Sequence, residues 1–166
     1  MGLLDGRVAV VTGAGSGIGR AAAEALAKEG AAVFATDIDP EGLEVTASNI
    51  AAAGGKVETK QQDVTDEALW DTVMEETEAK LGRPSILVNN AGIAIGGAIP
   101  DFSLEDWKTQ MSVNVDSVFL GTRAAIRRMQ EGGGSIINIS SVAGLRGAPG
   151  LSAYCTSKGA VRLFTK

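Results

Sequence analysis

The chain contains no histidine. Any general acid or base in it must therefore be a carboxylate, a lysine, a tyrosine or a cysteine, and a His-ligated metal site is excluded. A single cysteine, Cys155, rules out an internal disulfide and any Cys-x-x-Cys redox or zinc pair. A small buried thiol is expected there, and no metal is expected anywhere. Basic residues are in deficit: fifteen Lys and Arg against twenty Asp and Glu give a net charge of −5, which argues against nucleic acid as a partner. The local cluster of Arg123, Arg127 and Arg128 reads as a solvated helix face or an interface edge. No apolar run approaches the length of a membrane span. The N-terminal stretch Met1 to Gly6 lacks both the basic and the apolar regions of a signal peptide. It also lacks the Ser or Thr of a myristoylation site, so no membrane partner is expected and the expected location is cytoplasmic.

What remains is ordinary for a folded domain: 166 residues, 45% apolar and 21% charged. No repeat, low-complexity tract or linker divides it, so residues 1–166 are expected to form a single domain. Val8-Ala9-Val10-Val11-Thr12 reads as a buried strand. It breaks into the glycine-rich turn Gly13-Ala14-Gly15-Ser16-Gly17-Ile18-Gly19 and then into the helix-forming run Ala21 to Ala27. Strand, glycine turn and helix together aim backbone N–H groups and the positive helix end at a phosphate.

The pattern repeats. Ala31 to Asp37 reads as a second buried strand. Asp39-Pro40-Glu41 opens a helix to about Ala53, ended by Gly54-Gly55. Lys56 to Asp63 is a more polar strand, suited to a position nearer a sheet edge. A helix from Thr65-Asp66-Glu67 to Leu81 precedes a fourth strand, Pro84 to Asn89. After a loop from Asn90 to Pro100, one long helix is expected from about Ser103 to Gln130, ended by Gly132-Gly133-Gly134. Ser135 to Ser140 is the fifth strand, and a last helix starts near Ser152 and is still running at Lys166. Alternating strands and helices define an α/β protein with a doubly wound parallel sheet, and right-handed crossovers give the strand order 3-2-1-4-5. Ligands of such sheets sit at the carboxyl ends of the strands, here Gly13, Asp37, Asp63, Asn89-Asn90 and Ser140-Ser141.

Asp37, 24 residues after Gly13, is placed to accept hydrogen bonds from an adenosine ribose. Its charge would repel a 2′-phosphate, and neither Ser16 nor Ile38 supplies a cation to receive one, which argues for NAD over NADP. Asp63-Val64 could meet the adenine edge, although a helix N-terminal acid is nearly as good a reading of Asp63. Tyr154 and Lys158, four apart, share a helix face, and a nearby ammonium favours the phenolate form of a tyrosine.

In this order, Thr12-Gly13-Ala14-Gly15-Ser16-Gly17-Ile18-Gly19, Asn89-Asn90-Ala91-Gly92, Asn114, Ile139-Ser140-Ser141 and Tyr154-Cys155-Thr156-Ser157-Lys158 resemble the motifs of the short-chain dehydrogenase/reductase family. The resemblance covers the whole chain and implies a Rossmann-type fold. It implies a catalytic set of Asn114, Ser141, Tyr154 and Lys158. Tyr154 would exchange a proton with the substrate oxygen, Lys158 would hold the nicotinamide ribose, and Ser141 would bond the substrate oxygen. The resemblance also favours Ser141 over Ser140, because Ser141 lies 13 residues before Tyr154, the spacing usual in the family. Asn114 would hold a water linking Lys158 to solvent. Gly13, Ser16, Gly17, Ile18, Gly19, Asp37, Ile38, Asp63, Val64, Asn90, Ala91 and Gly92 would line the cofactor with Tyr154 and Lys158, while Asn89 would brace the sheet.

The expected reaction is hydride transfer between NAD(H) and a small-molecule secondary alcohol or ketone. A non-catalytic NAD(H)-binding protein is the alternative. An epimerase or dehydratase is disfavoured because those relatives show TGxxGxxG spacing. The chain stops inside an element, since Ala160, Val161 and Phe164 continue the apolar spacing of the last helix and Thr165-Lys166 offers no stop. Family members continue with a sixth strand, a substrate lid and a seventh strand. The 166 residues are therefore expected to be the first two-thirds of a dehydrogenase, poorly active when expressed alone. The long helix carries two apolar stripes, Trp107, Met111, Val118, Ala125 and Met129, and Val115, Phe119, Thr122 and Ile126. With the family resemblance they imply a homotetramer.

Overall fold

β1 (Val8–Thr12) is buried at all five positions, as its unbroken apolar sequence requires of a strand covered on both faces. β2 (Ala32–Asp37) and β4 (Ile86–Asn89) pair with it in parallel. β3 (Val57–Gln61) and β5 (Ser135–Asn138) pair with β2 and β4 and form the two edges. The order is β3-β2-β1-β4-β5, as the crossover rule demands. The polar composition of β3 matches its half-exposed edge. β5 is shorter than the expected Ser135–Ser140 because β4 offers it partners only over Ile86–Asn89. The computed structural model describes residues 2–166; Met1, the first residue of the N-terminal stretch read above, lies outside the described residues.

Two apolar layers flank the sheet. Ala9, Val11, Val33 and Ala35 face Ala23 and Ala27 of α1 (Gly17–Lys28) and Leu43 and Ile50 of α2 (Pro40–Ala52). The opposite faces of the same strands, through Val10, Phe34 and Leu87, pack on Trp70, Val73 and Met74 of α3 (Glu67–Leu81). Strand alternation splits one chain segment between two cores in this way.

The long helix expected from Ser103 to Gln130 is not uniform. It runs as α4 (Leu104–Met111), a wider π-helical turn over Ser112–Asp116, and α5 (Ser117–Met129). Ser117 Oγ donates to the Val113 carbonyl at 2.6 Å inside the wide turn. Apolar periodicity does not register one extra residue in a turn, so the sequence pattern reads straight through it. Ala125 and Met129 are buried in the core with Val10 and Leu87 of the sheet and Val118 is buried too, whereas Phe119 and Ile126 stay about half exposed, at 47% and 50%. α6 (Ser152–Phe164) closes the set, and its regular helix ends at Phe164. Among the described residues no helix is long and apolar enough to cross a membrane.

Candidate active site

The carboxyl ends of the strands open into a cavity of about 770 Å³. Of the residues singled out from sequence, Gly13, Ser16, Gly17, Ile18, Asp37, Ile38, Asp63, Val64, Asn90, Ala91, Gly92, Ser141, Tyr154 and Lys158 all line it. Gly19 and Asn114 stand behind its wall. Among the described residues no group of three or more His, Cys, Asp or Glu is arranged to hold a metal ion.

At one end the backbone turns at Gly13 (φ +63°) and Gly17 (φ +50°), conformations that favour glycine. A side chain at Gly19 would overlap the Gly13 carbonyl oxygen, so the third glycine lets α1 pack against the turn. Ser16 stands at the start of α1 without a side-chain cap, and no acid lies in the first turn. By contrast Asp39, Asp66 and Ser103 cap α2, α3 and α4. The first N–H groups of α1 are thus left for an anion. Asp37 accepts the Gly15 N–H at 2.7 Å and the Asp39 N–H at 3.0 Å, which holds its carboxylate against the turn. Arg20, a nearby cation missed in the sequence, lies outside the cavity lining. It donates to the Gly15 carbonyl and, at 3.1 Å, to Thr46 Oγ1.

The switch between β1 and β4 is locked by side chains. Thr12 Oγ1 accepts the N–H groups of Asn90 and Ala91 at 3.1 Å each. Asn90 Nδ2 donates to the Thr12 and Gly13 carbonyls at 3.0 and 3.2 Å. Asn89 Nδ2 donates to Asn138 Oδ1 at 2.8 Å and to Thr122 Oγ1 at 3.2 Å, joining β4 to β5 and α5.

At the other end stand Tyr154 and Lys158 of α6, with Nζ 5.9 Å from the centre of the phenol ring. Lys158 is only 5% exposed, and burial holds its ammonium below the ordinary lysine range. Its Nζ donates to the Ile139 carbonyl at 2.8 Å. Ser140 Oγ donates to the Lys158 carbonyl at 2.7 Å, so this hydroxyl is spent on fastening α6 to β5. Ser141 Oγ accepts the Ala143 N–H at 3.1 Å, and its own proton remains available to the cavity.

Asn114, in the π-helical turn, is wholly buried. Its Nδ2 donates both to the Ile93 carbonyl at 2.8 Å and to Ser157 Oγ at 3.0 Å, while Oδ1 accepts the Ile93 N–H at 2.8 Å. These bonds tie the loop after β4 to α6. Asp63 points its carboxylate at Thr65, accepting from its N–H at 2.9 Å and its hydroxyl at 2.7 Å. The start of α3 is capped by Asp66 and carries Glu67 in its first turn, so Asp63 shapes the turn before the helix rather than the helix end, and it lines the cavity beside Val64. Sequence reasoning missed Gln62, Val113 and Ile139 in the wall, which Ile93 and Ala94 of the loop after β4 also line. Gln62 is 1% exposed, and neither amide atom has a hydrogen-bond partner. Strand alternation through Lys60 was the available signal for it.

Sheet order and glycine turn define a Rossmann-type protein of the doubly wound α/β class. The chain belongs to the short chain dehydrogenase family, whose profile matches residues 7–166. That membership places it among oxidoreductases that use nicotinamide cofactors. It is 44% identical over 167 aligned positions to a cyclopentanol dehydrogenase of Comamonas sp. (strain NCIMB 9872), covering 100% of this chain and 67% of that protein. It is 43% identical over 165 positions to an NADP-dependent (R)-specific alcohol dehydrogenase of Lentilactobacillus kefiri, covering 98% and 65%. A short-chain type dehydrogenase/reductase from Mycobacterium marinum superposes with a TM-score of 0.94 at 38% identity, over 98% of this chain and 67% of that one. The chain thus spans about two thirds of the length of these relatives.

Proposed function

We propose that this protein transfers a hydride between NAD(H) and a secondary alcohol or ketone, with Tyr154 as the general acid/base. The observation that carries the proposal is the cavity itself. It is continuous from an uncapped helix start and a ribose-facing carboxylate to a phenol beside a buried ammonium. Residues 1–166 act in this reading as one dinucleotide-binding domain.

The residues present fit a dinucleotide. The glycine turn and the free N–H groups of α1 would take its pyrophosphate. Asp37 would accept from the adenosine ribose, with Ile18, Ile38, Asp63 and Val64 beside the base. Asn90, Ala91, Gly92 and Lys158 would hold the nicotinamide half. When bound, the nicotinamide supplies or accepts the hydride. Tyr154 delivers a proton to the carbonyl oxygen in reduction and removes it from the hydroxyl in oxidation. Lys158 favours the phenolate by its charge, and the Ile139 carbonyl fixes the ammonium in place. Ser141 donates to the substrate oxygen and holds it near the phenol. Ser140 contributes by fastening α6.

NAD is preferred to NADP because Asp37 repels a 2′-phosphate and Arg20, the nearby cation, is bound to the Gly15 carbonyl and Thr46. The NADP-dependent relative does not alter this, since the preference rests on the residues at the ribose end. The substrate side is apolar: Ile93 lines the cavity, and Val142 and Leu145 stand exposed beyond Ser141. That supports an uncharged secondary alcohol such as cyclopentanol, the substrate in one relative's name. The exposed Phe119 and Ile126 support assembly into a homotetramer through the α4–α5 face.

Incubation of the full-length protein with cyclopentanol and either NAD or NADP, followed at the nicotinamide absorbance, tests the reading. Reduction of NAD in preference to NADP is expected. Binding of NADH without oxidation of any secondary alcohol would favour the non-catalytic alternative.

A further inference from the structure

The loop that leaves β4 is strapped to the helical layer beside it by two carboxamides one turn apart. Asn114 takes both the N–H and the carbonyl of Ile93. Four positions earlier, on the same helix face, Gln110 Oε1 accepts the Ile95 N–H at 2.5 Å. Both carboxamides are wholly buried. Because the N–H groups of residues 93 and 95 both face the helix, the peptide between them is presented the other way, and Ala94 lines the cavity. The strap continues beyond Ile95. The Gly97 N–H donates to the Gly150 carbonyl at 2.9 Å, just before α6 and four residues before Tyr154.

Gln110 is a costly choice at this place if packing were its whole role. Its Nε2 is buried with no hydrogen-bond partner, and an apolar side chain of equal size would carry no such penalty. The oxygen is what the loop uses. One bond gained against one orphaned donor leaves little net effect on folding, whereas the position of Ile95 depends on that bond directly.

We propose that Gln110 is a positioning residue that sets the substrate-facing wall: through Ile95 it fixes the loop from Ile93 to Gly97, and through Gly97 and Gly150 the start of the helix carrying Tyr154. This rests on the functional reading above, with Ala94 as the part of the wall it presents. Cofactor contacts at Gly13–Gly19 and Asp37 lie outside its reach.

The test compares Gln110→Met, which has the same size and no acceptor, with Gln110→Glu, which restores an acceptor oxygen in either protonation state. In Gln110→Met the KM for cyclopentanol with NAD rises roughly five- to tenfold, the worth of one net hydrogen bond, while NADH affinity and melting temperature stay near wild type. Gln110→Glu recovers most of the KM. Amide hydrogen exchange at Ile95 gives a reading independent of turnover: protected in wild type and in Gln110→Glu, exposed in Gln110→Met. A folded Gln110→Met with wild-type KM overturns the proposal, as does an unprotected Ile95 amide in the wild type. Absence of alcohol oxidation in the full-length wild type would instead defeat the functional reading and leave the exchange result to decide the strap.

Discussion

Gly144 lies outside the cavity lining, yet its replacement is expected to damage catalysis. It closes the short 3-10 turn Val142–Gly144, which Ser141 caps and which packs on α6. A Cβ at this position would stand 2.6 Å from the Lys158 carbonyl oxygen, 2.7 Å from its carbon and 3.0 Å from the Gly159 nitrogen. All three are backbone atoms of α6, so no side chain can swing aside. Ordinary contact begins near 3.4 Å, so Gly144→Ala pushes α6 back by about 0.8 Å. The same displacement strains the 2.7 Å bond from Ser140 to the Lys158 carbonyl. It moves Tyr154 and Lys158 relative to Ser141. A misplacement of about 1 Å is worth on the order of a hundredfold in rate, so kcat for cyclopentanol oxidation should fall by several tens of times. The glycine turn and Asp37 are untouched while Lys158 shifts with α6, so NADH affinity should weaken, but by less than kcat falls. Steady-state kinetics, NADH titration and a thermal melt on the same preparation separate the effects. A folded Gly144→Ala with kcat within twofold of wild type would refute the reasoning.

Two other outcomes follow from the site. Replacing Asp37 with Ala removes both the ribose acceptor and the repulsion of a 2′-phosphate, so NADH should bind less tightly and NADPH more tightly; parallel fluorescence titrations that leave the preference unchanged would contradict this. Burial holds Lys158 below the ordinary lysine value of 10.5, so the unfolded chain binds that proton more tightly. Stability contributed at this position is therefore lowest below the depressed value and recovers as pH rises toward 10.5. The melting temperature of wild type relative to Lys158→Met should climb across that alkaline window, and a falling difference would show the sign to be wrong.

The strand pattern made the sheet legible because each buried strand is a short apolar run punctuated by glycine, asparagine or aspartate. The site was legible to the extent that it is built from backbone features: Gly13 and Gly17 need their positive φ, and Asp37 sits at a strand end by arithmetic. The long helix was misread because apolar stripes persist through a π-helical turn, so the wide turn at Ser112–Asp116 left no trace in the periodicity. The partners of Asn114 and Gln110 lie on a loop distant in sequence, and nothing in the spacing of two amides on a helix says which carbonyl or N–H they will meet. Ser140 and Ser141 could be ranked only through the family resemblance and its usual spacing. That the Ser140 hydroxyl bonds the Lys158 carbonyl while Ser141 accepts the Ala143 N–H and keeps its own proton unspent is a tertiary contact that no spacing shows.

The central claim is that Tyr154 moves the proton at the end of a cavity whose other features bind the cofactor. Rapid mixing of NADH-loaded protein with cyclopentanone, wild type against Tyr154→Phe, measures that step directly, with NADH affinity determined on each. The account predicts that Tyr154→Phe binds NADH within a few-fold of wild type and loses about two to four orders of magnitude in the rate of NADH oxidation; oxidation at the wild-type rate in Tyr154→Phe would contradict it.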